Sequence, residues 1–306
     1  MHDERTLRSL YRTQVACSSG KMTAPHRPSN VSTAETKGPM EALFDSMSAF
    51  GGVSPFGLAV ICVLVFLAGY IDAIAGGGGL ISLPAYMIAG LPTHAALATN
   101  KLGSTMGTTV ATIQYARQGF IRPLFALPCI ACAIAGSTFG SNLVLLMDDS
   151  FLRLFMLLIL PATAFYVFRL KGFGAEQRQP LSPRRTVLIS CLISLCIGIY
   201  DGFYGPGTGT FLLLLLTGAA HLGLGSAAGI TKAVNLTTNA TALVVFLVNG
   251  QVWIGLGLLA GCFSIAGNYL GARTFTKNGG AIARPLIIVV LCVFFAKVVY
   301  DLVTGV

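Results

Sequence analysis

The sequence predicts an all-α polytopic membrane protein built from two homologous halves, and three observations carry the prediction. Of the 306 residues, 54% are hydrophobic and 10% charged, with a mean hydropathy of +0.76. Soluble domains average roughly 25% charged residues. This chain therefore cannot wet the surface of a soluble globule, and a water-soluble enzyme is excluded. Hydrophobic runs of membrane-spanning length recur along the chain. A set of first-half residues reappears, in order, in the second half.

Residues 1–54 form a polar tail with charges of both signs and no continuous apolar stretch. It lacks the apolar region of a secretory signal and reads as disordered. Residues 55–169 hold the first transmembrane repeat, with runs at 56–75, 95–116, 123–147 and 151–169 and a short apolar arm at 80–91. A basic linker, expected in the cytoplasm, occupies 170–185. Residues 186–306 hold the second repeat, with runs at 186–204, 226–248, 252–271 and 285–304 and an arm at 209–219. Each long run reaches or approaches the ~20 residues that cross a bilayer as a helix. An arm of about twelve residues covers only ~18 Å, so it must be shielded by protein or line a wet vestibule. Eight passes result without the arms and ten with them.

Gly69, Asp72, Gly76 and Gly78 recur at Gly198, Asp201, Gly205 and Gly207. From Lys101 onward the spacing is a constant 131 positions: Lys101 recurs at Lys232, Gly119 at Gly250, Gly136 at Gly267, Gly140 at Gly271 and Arg153 at Arg284. A collinear set running through both halves marks an internal duplication. Equivalent loops then carry opposite charge bias. Arg117 and Arg122 bound the first-half loop at 117–122, while its counterpart at 249–251 is uncharged. Arg273, Lys277 and Arg284 mark 272–284, while its counterpart holds Asp148 and Asp149 beside Arg153. The positive-inside rule reads this as an inverted-topology repeat. That requires an odd number of passes per half, so each arm counts as a fifth and both termini lie outside. The formal net charge of +9 thus reports topology, and no nucleic-acid partner is expected. The expected partners are the lipid bilayer of the inner (plasma) membrane and a small anionic substrate.

Asp72, Asp201, Lys101 and Lys232 are the charges within or beside the apolar runs, where charge is costly and points to function. Asp72 precedes Gly76, Gly77, Gly78 and Gly79; Asp201 precedes Gly205 and Gly207. Consecutive glycines break a helix at about 1 kcal/mol each relative to alanine. Such a break frees backbone N–H groups, and the arm that follows presents a helix N-terminus, which favours anions. The plain alternative is a tight turn capped by each Asp. Farther along, Asn100, Ser104, Thr108 and Thr112 make a polar stripe beside Lys101, answered by Thr231, Asn235 and Asn239 around Lys232. Stripes of this kind also glue helices together, a reading that suits Thr112 and Thr238. A lysine beside helix N-termini suits a small oxyanion, as a compact charge with three donors.

Other features read as structural. Gly103/Gly107, Gly136/Gly140, Gly257/Gly261 and Gly267/Gly271 are GxxxG pairs that let helices approach. Seven of the eight cysteines, all but Cys17, sit in apolar runs as small fillers. The Cys129/Cys132 CxxC has no second pair or histidine nearby, so zinc and redox chemistry are not expected. His94 and His221, at near-equivalent places, are either proton relays or ordinary loop histidines. No Walker loop, HExxH or GxSxG occurs, so neither an enzyme nor a cofactor is expected.

The segment from Gly69 through Asp72 to Gly79, an apolar arm, and then Ala98-Thr99-Asn100-Lys101 resembles the sulfite exporter TauE/SafE family, also called TSUP. The resemblance covers about 55–305. It implies carriage of small sulfur-containing anions, such as sulfite and organosulfur compounds, across the cytoplasmic membrane. Asp72, Gly76–Gly79, Asn100 and Lys101 match the family pattern directly. Asp201, Gly205, Gly207 and Lys232 match through the repeat, where Thr231 replaces Asn100. The resulting expectation is a proton-coupled secondary exporter. Its substrate would be held by Gly76, Gly77, Gly78, Gly79, Asn100, Lys101, Ser104, Gly205, Gly207, Thr231, Lys232 and Asn235. Asp72 and Asp201 would either pair with the lysines or carry the proton. The alternatives are a passive anion channel with a glycine-lined filter, and a membrane assembly factor without transport.

Overall fold

The computed structural model describes residues 50, 52–148, 151, 152, 155 and 181–278. The tail over 1–49, most of the run expected at 151–169, the linker before 181 and the run at 285–304 lie outside the described residues, as do Asp149, Arg153 and Arg284. The described residues hold no strand, and eight helices have both bounds among them: α1 (Pro55–Ala75), α2 (Gly79–Ile88), α3 (Thr93–Arg117), α4 (Pro123–Leu145), α5 (Pro183–Phe203), α6 (Thr208–Gly218), α7 (Leu224–Val248) and α8 (Ile254–Asn278). Five of them, α1, α4, α5, α7 and α8, are long and apolar enough to cross a membrane. α3 matches α7 in length at 25 residues, but Lys101 and its polar stripe lower its hydropathy. α8 runs past the expected end at 271 and carries Arg273 and Lys277 on its last turns. The first breaker there is Gly279-Gly280, and a cation suits the negative end of a helix dipole.

Local chemistry sets the boundaries. Ser54 caps α1 by accepting a hydrogen bond from Gly57 N at 3.1 Å, and Pro55 takes the first helical position, where no N–H is needed. Gly76 ends α1 in the left-handed region at φ 77°, with its N–H donated to the Asp72 carbonyl. α4 and α5 likewise open on Pro123 and Pro183.

The GxxxG glycines bring backbones together. A Cβ on Gly136 of α4 would sit 2.9 Å from Ile199 N of α5 and nearer still to Leu195 O. A Cβ on Gly267 of α8 would sit 2.9 Å from Tyr70 N of α1 and nearer still to Phe66 O. These two contacts are copies of each other, since each joins the third long segment of one half to the first of the other. Reciprocal exchange of this kind is what a two-fold relation produces. The described cysteines are free thiols within these helices.

The arms α2 and α6, at 10 and 11 residues, are too short to cross ~30 Å of hydrocarbon. Protein shields them: Leu83, Tyr86, Leu212 and Leu216 are fully buried. The turns that precede them meet at their tips. Thr210 donates through its hydroxyl to Ala75 O at 2.7 Å and through its N–H to Gly76 O at 3.3 Å.

Candidate anion site between the broken helices

Each break brings its aspartate toward the lysine of the other half. Lys101 of α3 lies 3.0 Å from Asp201 Oδ2 at the end of α5. Lys232 of α7 lies 2.9 Å from Asp72 Oδ2 near the end of α1. All four residues are buried. A Lys–Asp pair withdrawn from water compensates two charges that would each be prohibitive alone. Each aspartate thus pairs with the lysine of the other half.

The two pairs are equivalent in sequence but not in surroundings. Lys232 also donates to the Asp72 backbone carbonyl, so it clamps the C-terminal end of α1, where a cation is favoured. Lys101 instead reaches side chains, donating to Asn239 Oδ1 at 3.0 Å. Asp201 Oδ1 accepts from the Thr208 hydroxyl at 2.7 Å. Its Oδ2 contact with Lys101 is ionic and accepts no aligned hydrogen bond. Gly205 makes the seat: a Cβ there would lie 3.0 Å from Asp201 Oδ1 and 3.1 Å from Lys101 Nζ.

A cavity opens beside the Lys101 pair. It offers about 40 Å³ to the centres of water-sized particles, enough for a few waters or one small anion at ~10–15 Å³ per water. Of the site residues expected from sequence, Gly76, Gly78, Gly79, Asn100, Lys101, Ser104, Gly205 and Asn235 line it, with both Asp72 and Asp201. Gly77, Gly207, Thr231 and Lys232 do not line it. Lys232 is spent on Asp72, and Thr231 is buried with its hydroxyl unpartnered among the described residues. His94 and His221 are also absent from the lining; His94 Nε2 lies 3.2 Å from Val144 O.

Donors are available in the cavity. Lys101 has three N–H groups; it donates one to Asn239 and faces Asp201 Oδ2 at 3.0 Å without an aligned hydrogen bond. The Asn100 amide and the Ser104 hydroxyl make no side-chain bond to the described residues, and Asn235 uses only its oxygen, accepting from Asn239 at 3.2 Å. Six polar lining residues lie outside the expected site: Ser82, Thr108, Thr208, Asn239, Ser264 and Asn268. Ser264 and Asn268 lie one turn apart on α8, a spacing that marks a polar face on an apolar helix. The repeat hid them, because their counterparts are Ala133 and Ser137.

Comparison with known proteins decides the family, because residues 61–298 match the sulfite exporter TauE/SafE family. This chain belongs to the TauE/SafE family. It is 36% identical over 245 residues to the probable membrane transporter protein ORF9 of Sinorhizobium sp., covering 80% of this chain and 93% of that relative. It is 34% identical to a probable membrane transporter protein of Haemophilus influenzae, covering 80% and 95%. It is 35% identical to the probable membrane transporter protein YfcA of Escherichia coli K12, covering 81% and 92%. No solved structure gives a significant match. The protein is thus a multi-pass membrane transporter of the TauE/SafE type, and the paired lysines and broken arms are features of this family member's core.

Proposed function

We propose that this TauE/SafE protein is a secondary active carrier that exports small sulfur-containing anions, such as sulfite or sulfonates, across the cytoplasmic membrane. One observation carries the reading. A cavity at the tips of two broken helices holds a lysine with an uncommitted N–H, next to the unspent donors of Asn100, Ser104 and Asn235. Backbone N–H groups at Gly78, Gly79 and Gly209 add the positive ends of the arms. The compact ammonium and short polar side chains suit an oxyanion of few atoms better than an extended ligand. Asp72 is the carboxylate assigned to the coupling proton, since its side chain is 13% exposed against 2% for Asp201.

Purified protein in liposomes is expected to show saturable flux of sulfite or a sulfonate that follows an imposed proton gradient. Flux that never saturates and ignores the gradient would instead describe a channel, and no flux of any oxyanion would reject the assignment.

The reciprocal contacts support a two-fold relation between the halves. With five passes in each, the arm included, the axis lies in the membrane plane and one half rocks against the other. A phosphatase fused to the C-terminus should then be active outside the cytoplasm. A fluorescent reporter that lights up at the C-terminus inside the cell would reverse this topology.

A further inference from the structure

One residue lining the cavity carries a buried acceptor that nothing among the described residues satisfies. Asn268 is 1% exposed, and it lines the same cavity as Lys101. Its amide nitrogen donates to Ser264 O at 3.0 Å and lies 3.4 Å from Ser264 Oγ. Its Oδ1 has no hydrogen-bond partner among the described residues. The reversed amide would set oxygen against the Ser264 carbonyl oxygen, so the donor must face the helix and the acceptor must face away from it.

This is not a requirement of the packing frame. At the corresponding place in the other half stand Ser137 and Ala133, and Thr238 replaces Gly107. There Ser137 donates to Thr238 O at 2.8 Å, so that copy is closed and satisfied. Around Asn268, by contrast, Gly107 makes the room, while Gly69 packs against the α8 backbone as its counterpart Gly198 packs against that of α4. A Cβ on Gly69 would lie 2.8 Å from the Asn268 amide nitrogen, and one on Gly107 would overlap both Ser264 and Asn268. A buried acceptor without a donor is unfavourable, and Gly107 leaves the space that the Asn268 amide nitrogen occupies.

We propose that the Asn268 carboxamide oxygen is a specificity subsite that accepts a hydrogen bond from a hydroxyl or N–H on the substrate. The Lys101 end takes the anionic group. The preferred ligands are therefore small sulfonates or carboxylates that also carry a hydroxyl or amino donor. A metal cation is the poorer occupant, since it would share the cavity with the Lys101 ammonium. The proposal rests on the anion-site reading above and adds the second end of the ligand.

The test uses the full chain in liposomes and pairs of anions matched in charge and skeleton. Examples are 2-hydroxyethanesulfonate against ethanesulfonate, and 2-hydroxypropionate against propionate. The wild type is expected to favour the hydroxylated member of a pair by about tenfold or more at low concentration. In Asn268→Leu that ratio should fall to within about twofold, because the apolar side chain no longer distinguishes the pair. A wild-type ratio near one, or a ratio unchanged in Asn268→Leu, overturns the subsite. The wild-type ratio decides alone where the variant does not fold. If both members move equally and the double variant Lys101→Met, Asp201→Asn folds but moves neither, the anion site stands and only the subsite falls. If neither member binds or moves, the anion site fails and takes the subsite with it.

Discussion

Replacing Lys101 with methionine is expected to stop anion flux and to destabilise the protein by about 3–5 kcal/mol, the usual cost of orphaning one member of a buried ion pair. Asp201 would keep only the Thr208 hydroxyl at 2.7 Å, and Asn239 Oδ1 would lose its 3.0 Å donor. Destabilisation alone would also stop flux, so the decisive variant is the double replacement Lys101→Met, Asp201→Asn. The second change removes the stranded charge and keeps an Oδ1 acceptor for Thr208. Replacing a whole buried pair with neutral groups is often close to neutral in stability. The double variant should therefore unfold near the wild-type denaturant or thermal midpoint and still move no anion. If it recovers flux together with stability, Lys101 only balances Asp201 and the substrate is held elsewhere.

Gly76→Ala should be the most damaging single-methyl change. Gly76 sits at φ 77°, and an added Cβ would lie 2.5 Å from Thr210 N and nearer still to Gly209, all of them backbone atoms. A left-handed non-glycine residue costs roughly 1–2 kcal/mol, and overpacking adds about 1–3 kcal/mol. A loss of about 3 kcal/mol or more follows, along with separation of the arm tips that border the cavity. Gly119→Ala is the internal control, since Gly119 has φ 75° but nothing within 4 Å of the added methyl. It should lose only the backbone part, about 1 kcal/mol. Thermal unfolding of the two variants in the same detergent separates the contact from the conformation. Equal losses would mean that the tips do not press on each other.

The helices themselves were legible because their determinants are local. Apolar length, Ser54-Pro55 at one start and the glycine breaks at 76–79 and 205–209 mark ends that the structure reproduces within a few residues. The exception is α8, whose charged last turns looked like loop because hydropathy falls at Arg273 while helix propensity does not. The GxxxG glycines were legible as contacts for the same reason, since a face without Cβ atoms admits a backbone wherever it lies.

The candidate site was legible only in part. Duplication placed Asp72, Asp201, Lys101 and Lys232 together as one set, and it made the two lysines look interchangeable. Asn268 went unnoticed because its repeat partner is Ser137 and its significance lies in an unfilled acceptor, which depends on neighbours far away in the chain.

From residue order alone follow the membrane class, the two halves, the breaks and the identity of the scarce charges, since each depends on composition or spacing within one segment. Tertiary structure decided that each aspartate crosses to the lysine of the other half. It also decided that Lys232 clamps the end of α1 while Lys101 borders a cavity. Two nearly equal copies of a pattern cannot indicate which copy stays open. That depends on small differences in packing, such as glycine at 107 against threonine at 238, whose effect appears only once the helices that flank them are in place.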